Sequence, residues 1–138
     1  MTPEQIAIVE ATLTAVDIDA LADDFYRRAF AATPRISSMF TTDPAVQRVR
    51  FAAELAAIVG SIRTVDGLAT RTEALGAWHR HLGVRAAHYR VMGQALLGAL
   101  EGTLGARWTA ATSEAWSLAY NLISESMQLG ALDHPPPT

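Results

Sequence analysis

The sequence has no cysteine and no lysine, and it is poor in charged residues of either sign. Without cysteine the chain cannot form disulfide bonds, thiolate zinc sites or iron–sulfur clusters. A cofactor attached covalently through a C-x-x-C-H motif is excluded for the same reason. Any metal that the protein binds must therefore be held by histidine or carboxylate side chains.

Charged residues make up 18% of the chain, below the roughly 25% of an average soluble domain, and half of the residues are apolar. Eleven basic residues, all arginine, stand against fourteen acidic ones and give a net charge of −3. A protein that neutralises nucleic-acid phosphates or anionic lipid needs the opposite balance. We therefore expect neither a nucleic acid nor a membrane as its partner.

No targeting or membrane-spanning segment is apparent in the 138 residues. The opening Met1–Gln5 has neither the basic start nor the apolar core of a secretion signal. The apolar stretch from Leu55 to Gly60 is far shorter than the roughly 20 residues that span a bilayer. We expect a cytoplasmic protein of one domain, which at this length can bury roughly 68–70% of its surface and enclose a pocket.

Apolar residues recur at helical spacing along most of the chain, and no useful stretch shows the alternation of a half-buried strand. Thr2–Gln5 has a cap, a proline and a glutamine in the order of a helix start. Pro34 is predicted to end the second helix, Asp43-Pro44 to begin the next, and Asp66-Gly67 to break the chain after that. Helices that end near Gly83 and Gly105 are predicted to follow. The predicted fold class is all-α.

The last helix is predicted to begin at about Thr109 and to carry Trp116 and Tyr120. After it, Asp133-His134-Pro135-Pro136-Pro137-Thr138 has the composition of a disordered segment. We therefore expect one domain over residues 1–132 and a disordered tail over residues 133–138.

His79 lies on an apolar helix face, four residues after Leu75 and three before Leu82. On placement alone it is either an ordinary core histidine or a metal ligand. A carboxylate-bridged di-iron bundle requires Glu-x-x-His pairs on two helices, and no glutamate here has histidine three residues later. That class of metal site is excluded.

The residues that follow His79 resemble a known pattern. Tyr89 comes ten residues later and precedes the run Val91-x-Gly93-x-x-Leu96-Leu97. This segment resembles the proximal segment of bacterial globins, both the flavohaemoglobins and the single-domain haemoglobins related to them. The other matches to that family, in chain order, are Phe25-Tyr26, Pro34, Met39-Phe40, Gln47, Phe51 and Ala115-Trp116-x-x-Ala119-Tyr120. Together they extend from about Ile6 to Met127.

The resemblance implies a globin fold of six to eight helices around a haem pocket. In that fold His79 would be the proximal ligand of a non-covalent b-type haem, with a diatomic gas (O2, NO or CO) facing Tyr26 and Gln47. Phe40 and Phe51 would pack against the haem. Without the resemblance, Tyr26 is better interpreted as an interfacial aromatic with its hydroxyl at the surface, and Gln47 as a solvated polar residue.

The resemblance also implies roles for Tyr89 and Arg50. Tyr89 would lie beside His79, where the family also has a glutamate late in the last helix. That place falls near Ala131, and Glu125 lies earlier, so the carboxylate partner is expected to be missing and the imidazole to receive less negative character. Arg50 would either pair with a haem propionate or remain solvated.

Function is implied only in outline. The resemblance implies oxygen storage or delivery, or conversion of nitric oxide to nitrate by bound O2. The 138 residues contain no flavin or nicotinamide domain, so turnover is expected to require a separate reductase. The alternative is a cofactor-free globin-fold sensor or interaction module, which has no need of a histidine in the pocket. Either a monomer or a homodimer is compatible with the sequence.

Overall fold

The computed structural model describes residues 1–39 and 43–133, and within these ranges the all-α prediction is confirmed. All regular structure in them is helical. In chain order the helices are α1 Pro3–Ala15, α2 Ile18–Ala32, α3 Pro34–Met39, α4 Pro44–Ser61, α5 Val65–His81, α6 Ala86–Leu104 and α7 Ala110–Asp133, with a 3-10 turn at Gly105–Arg107.

Side-chain caps begin α1 and α4 where the sequence predicts them. The Thr2 hydroxyl accepts a hydrogen bond from the Gln5 amide, and the Gln5 side chain accepts one from the Thr2 amide. The Asp43 carboxylate accepts from the Ala45 amide at the start of α4. Pro34 follows the end of α2 and is also the first residue of the short α3. At the first position of a helix the missing N–H of proline costs nothing.

The predicted chain break at Asp66-Gly67 is wrong. The chain leaves α4 after Ser61 and re-enters a helix at Val65, so that Gly67 lies in the first turn of α5. A Cβ at position 67 would lie 2.6 Å from the Thr64 hydroxyl oxygen. The glycine therefore marks a close contact at a helix start, which composition alone cannot distinguish from a turn.

The C-terminal ends of α5 and α6 agree with the prediction. Gly83 and Gly105 have positive φ angles of 98° and 57°, a conformation that glycine adopts without steric cost. Gly83 follows the end of α5 and lies in the short corner that leads into α6. The short corner between these helices keeps the histidine-bearing end of α5 close to the start of α6.

Helices α5 and α7 make the most extensive contact between any two elements described. A Cβ at Gly76 would lie 1.9 Å from the Met127 carbonyl oxygen, and one at Gly130 would lie 2.5 Å from the Glu73 Cα. Only glycine permits these approaches of backbone to backbone. The helix that carries His79 is therefore held directly against the backbone of α7.

A buried hydroxyl pair lies in the same interface. The Thr72 hydroxyl, which is inaccessible to solvent, donates to the Leu68 carbonyl oxygen at 2.8 Å. Its oxygen lies 2.5 Å from the Ser126 hydroxyl oxygen on α7. Because Thr72 uses its proton within α5, Ser126 supplies the proton of the bond between the helices.

Two sequence expectations concern residues for which no structure is described. Phe40 lies outside the described residues, as do residues 134–138 of the predicted tail. Asp133, assigned to that tail, is the last residue of α7. In the described part of the chain, no helix is long and apolar enough to cross a membrane.

Candidate functional site

A cavity of about 390 Å³ lies between the helices, within the 300–1,000 Å³ range of small-molecule sites. Its walls are largely apolar. Six of the residues singled out in the sequence line it together, namely Tyr26, Gln47, Arg50, Phe51, His79 and Tyr89. They come from α2, α4, α5 and α6, so the fold brings to one place side chains that are far apart in the sequence.

His79 is in the last turn of α5 and is largely buried in the cavity wall. Loss of hydration lowers the pKa of its imidazole from 6.5 to about 4. The ring is therefore neutral near pH 7, and a neutral imidazole has a nitrogen lone pair that can bind a metal. The Tyr89 hydroxyl oxygen lies 3.4 Å from the His79 Nδ1 atom, and the two rings meet edge to face.

Tyr89 is held in place by Tyr120, a residue for which the sequence predicted no role at the site. The Tyr120 hydroxyl donates to the Tyr89 backbone carbonyl oxygen at 2.5 Å. The Tyr120 ring passes so close to α6 that a Cβ at Gly93 would lie 2.5 Å from its Cε2 atom. Burial raises the pKa of the Tyr89 hydroxyl to about 12, so that it stays a neutral phenol.

Tyr26 and Gln47 form a polar pair in another part of the cavity wall. The Gln47 side-chain amide donates to the Tyr26 hydroxyl oxygen at 3.1 Å, which joins α2 to α4. Burial raises the pKa of the Tyr26 hydroxyl, and the bond from Gln47 partly offsets that rise. A phenol oxygen that accepts one hydrogen bond can still donate its own proton to another acceptor.

Aromatic packing orients this pair. The Phe25 and Phe51 rings stack with centroids 4.4 Å apart, and the Tyr26 ring meets each of them edge to face. Phe30 contacts the Tyr26 ring from the next turn of α2. The direction of the Tyr26 hydroxyl is thus fixed by three phenylalanine rings as well as by the amide of Gln47.

The rim of the cavity is more polar than its interior. Arg50 is exposed and contributes to the wall one turn after Gln47. Arg71 of α5 makes an ion pair with Glu54 of α4, with its Nη1 atom 3.2 Å from a carboxylate oxygen. Glu54 and Trp78 also line an open groove of about 790 Å³ between α4 and α5. This side of the cavity is therefore the one nearest to solvent.

The donor set fits one kind of metal cofactor. Among the residues that the structure describes, no group of three or more histidine, aspartate or glutamate side chains could hold a bare metal ion. A single neutral imidazole in an apolar cavity suits a metal whose other ligands come from a macrocycle, as in an iron porphyrin. Arg50 at the rim supplies a cation for a carboxylate of such a macrocycle.

Several apolar cavity residues were not assigned to the site from the sequence. These are Ala29, Ile36, Leu55, Ile58, Met92, Leu96, Ile123 and Met127. Many of them are three or four residues apart on one helix, so the only sequence signal is the helical apolar stripe that core residues also show. Which stripes face the cavity depends on how the helices cross.

Known proteins resemble the chain over most of its length. The family model described as Globin matches residues 23–127. The flavohemoprotein of Deinococcus radiodurans is 34% identical over 136 residues, covering 92% of this chain and 33% of that protein. The flavohemoprotein of Bordetella pertussis is 30% identical over 130 residues, which cover 91% of this chain and 32% of that protein. The chain thus spans about a third of the length of these curated relatives.

Solved structures show the same architecture. A bacterial globin from Campylobacter jejuni superposes with a TM-score of 0.85 at 24% identity, covering 96% of this chain and 97% of that one. An engineered carbene transferase, described as a candidate nitric oxide dioxygenase from Rhodothermus marinus, has a TM-score of 0.86 at 24% identity. The match covers 96% of this chain and 94% of that one. At such identities the likeness concerns the fold alone.

Proposed function

Because this chain belongs to the globin family, we propose that it binds one b-type haem through His79 and holds a diatomic gas against Tyr26 and Gln47. The haem, when bound, supplies an iron that can take O2, NO or CO at the position that the histidine leaves open. We further propose that it uses bound O2 to convert nitric oxide to nitrate, with electrons from a separate reductase.

The observation that carries this proposal is the composition of the cavity. One neutral histidine from α5 and one hydrogen-bonded polar pair from α2 and α4 line the same apolar space. The Tyr26 hydroxyl would donate a hydrogen bond to a bound gas that carries partial negative charge, and such a bond stabilises that charge more in an apolar cavity than in water. The amide of Gln47 keeps the Tyr26 hydroxyl oriented for this role.

On the His79 side, Tyr89 supports reversible binding. When Nε2 of His79 is on a metal, Nδ1 carries the proton and can donate it to the Tyr89 hydroxyl oxygen. A neutral phenol is a weaker acceptor than a carboxylate, and Glu125 is exposed at the surface. The imidazole therefore gains little negative character, which favours holding O2 over cleaving it.

The nitric oxide reaction is tested in a single turnover. The reduced, O2-loaded protein is mixed rapidly with nitric oxide, and nitrate and oxidised haem are measured. We expect one nitrate for each haem, and repeated turnover of the 138-residue protein only when NADH and a flavin reductase are added. The same protein loaded with CO is the control and should give no nitrate.

Three outcomes would contradict parts of this proposal. Reversible O2 binding with slow or absent nitrate formation would refute the dioxygenase role and favour oxygen storage or delivery. Repeated turnover with NADH alone would refute the dependence on a separate reductase. Purified protein without a haem absorption spectrum, even after haem is added, would refute haem binding and favour a cofactor-free interaction module.

A further inference from the structure

The corner between α5 and α6, which comprises residues 78–90, has a basic surface formed by exposed arginines. From Ala74 to Leu100 the sequence contains Arg80, Arg85 and Arg90 and neither aspartate nor glutamate. The chain as a whole carries a net charge of −3. Positive charge is thus concentrated at this corner, although acidic residues outnumber basic ones overall.

The arginines of the corner are available to a partner. Arg80 and Arg90 are exposed, and no ion pair in the described part of the chain involves them or Arg85. The Arg85 guanidinium folds back to the carbonyl oxygens of Arg80 and Val84, each 3.4 Å away. These are carbonyl oxygens around the C-terminal end of α5, where a cation is favoured, so Arg85 holds the corner while the other two face solvent.

The same corner is adjacent to the haem site proposed above. Trp78 precedes His79, lines the cavity and is nevertheless 52% exposed. Its ring also contacts the His81 ring, with centroids 5.7 Å apart. One aromatic side chain therefore reaches from the basic surface to the cavity wall beside the histidine.

We propose that the α5–α6 corner is the docking site for an acidic electron-donor protein that carries a flavin or an iron–sulfur centre. The inference rests on the proposed haem binding. One electron leaves the donor's centre and reduces ferric haem to ferrous, and no covalent bond is made or broken. An extended polyanion such as DNA would also meet the acidic remainder of the surface, whereas a compact protein face can contact the corner alone.

Docking is tested with an oxidised plant-type [2Fe–2S] ferredoxin as the acidic probe, by titration calorimetry at an ionic strength of about 0.1 M. Arg80→Glu and Arg90→Glu should each weaken binding about tenfold, because a reversed charge at the contact repels the probe. Arg107→Glu is the matched control, with the same change of charge beyond the far end of α6, roughly 28 Å away for a helix of 19 residues. It should change binding less than about twofold, since salt screens charges beyond about 10 Å.

Electron delivery is tested by stopped-flow reduction of the haem-loaded protein under CO. Reduced ferredoxin should act about tenfold more slowly on the two corner variants, and on the wild type at high salt. A neutral reductant, the photoreduced 5-deazaflavin radical, should reduce all variants at one rate. The inference would be overturned if Arg107→Glu slowed reduction by ferredoxin as much as the corner variants do, or if the rate of that reduction did not depend on salt.

The outcomes separate this inference from the proposed function. Haem and gas binding without ferredoxin binding at the corner would refute the docking site alone. Ferredoxin binding by a protein that cannot hold haem would refute the proposed function. Tighter binding of phosphatidylserine vesicles or duplex DNA through Arg80 and Arg90 would assign the corner to another partner and overturn the inference.

Discussion

The two walls of the cavity are built in different ways. The wall that carries His79 is a helix whose backbone touches the backbone of α7 at Gly76 and Gly130. The wall that carries Tyr26 and Gln47 is positioned by side chains, through one hydrogen bond and stacked aromatic rings. A backbone contact leaves little freedom to shift, whereas side chains can adjust their rotamers.

This difference suggests a division of roles. In its proposed role His79 must stay at a fixed distance from the cofactor, and the glycine contacts hold α5 in place for that role. The pair proposed to face the gas is oriented by one hydrogen bond and by aromatic rings, so changing one group there should alter the ligand contact and leave the helices in place. The following predictions test this contrast in order of decreasing effect.

The largest effect should come from removing the proposed iron ligand. His79→Ala should yield largely haem-free protein, because no other described histidine lines the cavity. His81→Ala is the matched control, since His81 is exposed and faces another side of the same helix. Haem content is measured by absorption of the purified proteins. Wild-type haem content and spectrum in His79→Ala would show that the iron is held elsewhere.

The backbone contact of the His79 wall should be the next most sensitive feature. Gly76→Ala places a methyl group against the Met127 carbonyl and should lower the free energy of unfolding by about 3 kcal/mol. Gly60→Ala is the control, because nothing lies within 4 Å of a Cβ there and alanine favours a helix by up to about 1 kcal/mol. Urea denaturation, followed by circular dichroism, measures the free energy of unfolding of both variants. Equal stabilities would mean that α5 and α7 are not in direct contact.

The wall built from side chains should show a smaller and more selective effect. Tyr26→Phe keeps the ring and removes the hydroxyl donor, which at about 1–2 kcal/mol corresponds to about 5- to 30-fold faster release of O2. Stability and haem content should hardly change. If Gln47 acts by holding Tyr26, adding Gln47→Leu to Tyr26→Phe should have little further effect on the release rate. Unchanged O2 release in Tyr26→Phe would show that its hydroxyl does not face the gas.

The smallest effect is expected for the ion pair that joins the two walls at the rim. The Arg71 side chain is 43% and the Glu54 side chain 33% exposed, and such pairs contribute about 0–1 kcal/mol. Arg71→Met should therefore destabilise the protein by less than about 1 kcal/mol at low salt, and less again at high salt. Arg63→Met, which removes an exposed pair with Glu10 away from the cavity, is the control. A much larger loss for Arg71→Met would mean that this pair, rather than backbone contact, holds α5.

Local sequence signals predicted much of the helical architecture. The start of α1 at Thr2, the start of α4 at Asp43 and the glycine ends at Gly83 and Gly105 all follow from capping chemistry and were confirmed. Gly67 was misread because a glycine needed for a close contact has the same composition signal as one in a turn. The error at Gly67 arose because one local sequence signal, a glycine, can have either of two physical causes.

The sequence predicted only part of the candidate site. The resemblance to bacterial globins implied that Tyr26, Gln47, His79 and Tyr89 share a pocket, and in the structure all four line one cavity. Their roles toward haem and gas stay predictions. Tyr120 could not be recognised as the residue that holds Tyr89, because that contact joins α6 and α7 across the close approach at Gly93.

The sequence by itself determined the helices, their caps and the residue types available for chemistry, because these depend on neighbours within a few positions along the chain. Only the tertiary structure decided that the imidazole of His79 is desolvated, that Gln47 donates to Tyr26, and that Trp78 links a basic surface to the cavity. Burial and hydrogen-bond geometry between helices depend on how the helices cross. That crossing is set by contacts between residues far apart in the sequence, such as Gly76 with Met127.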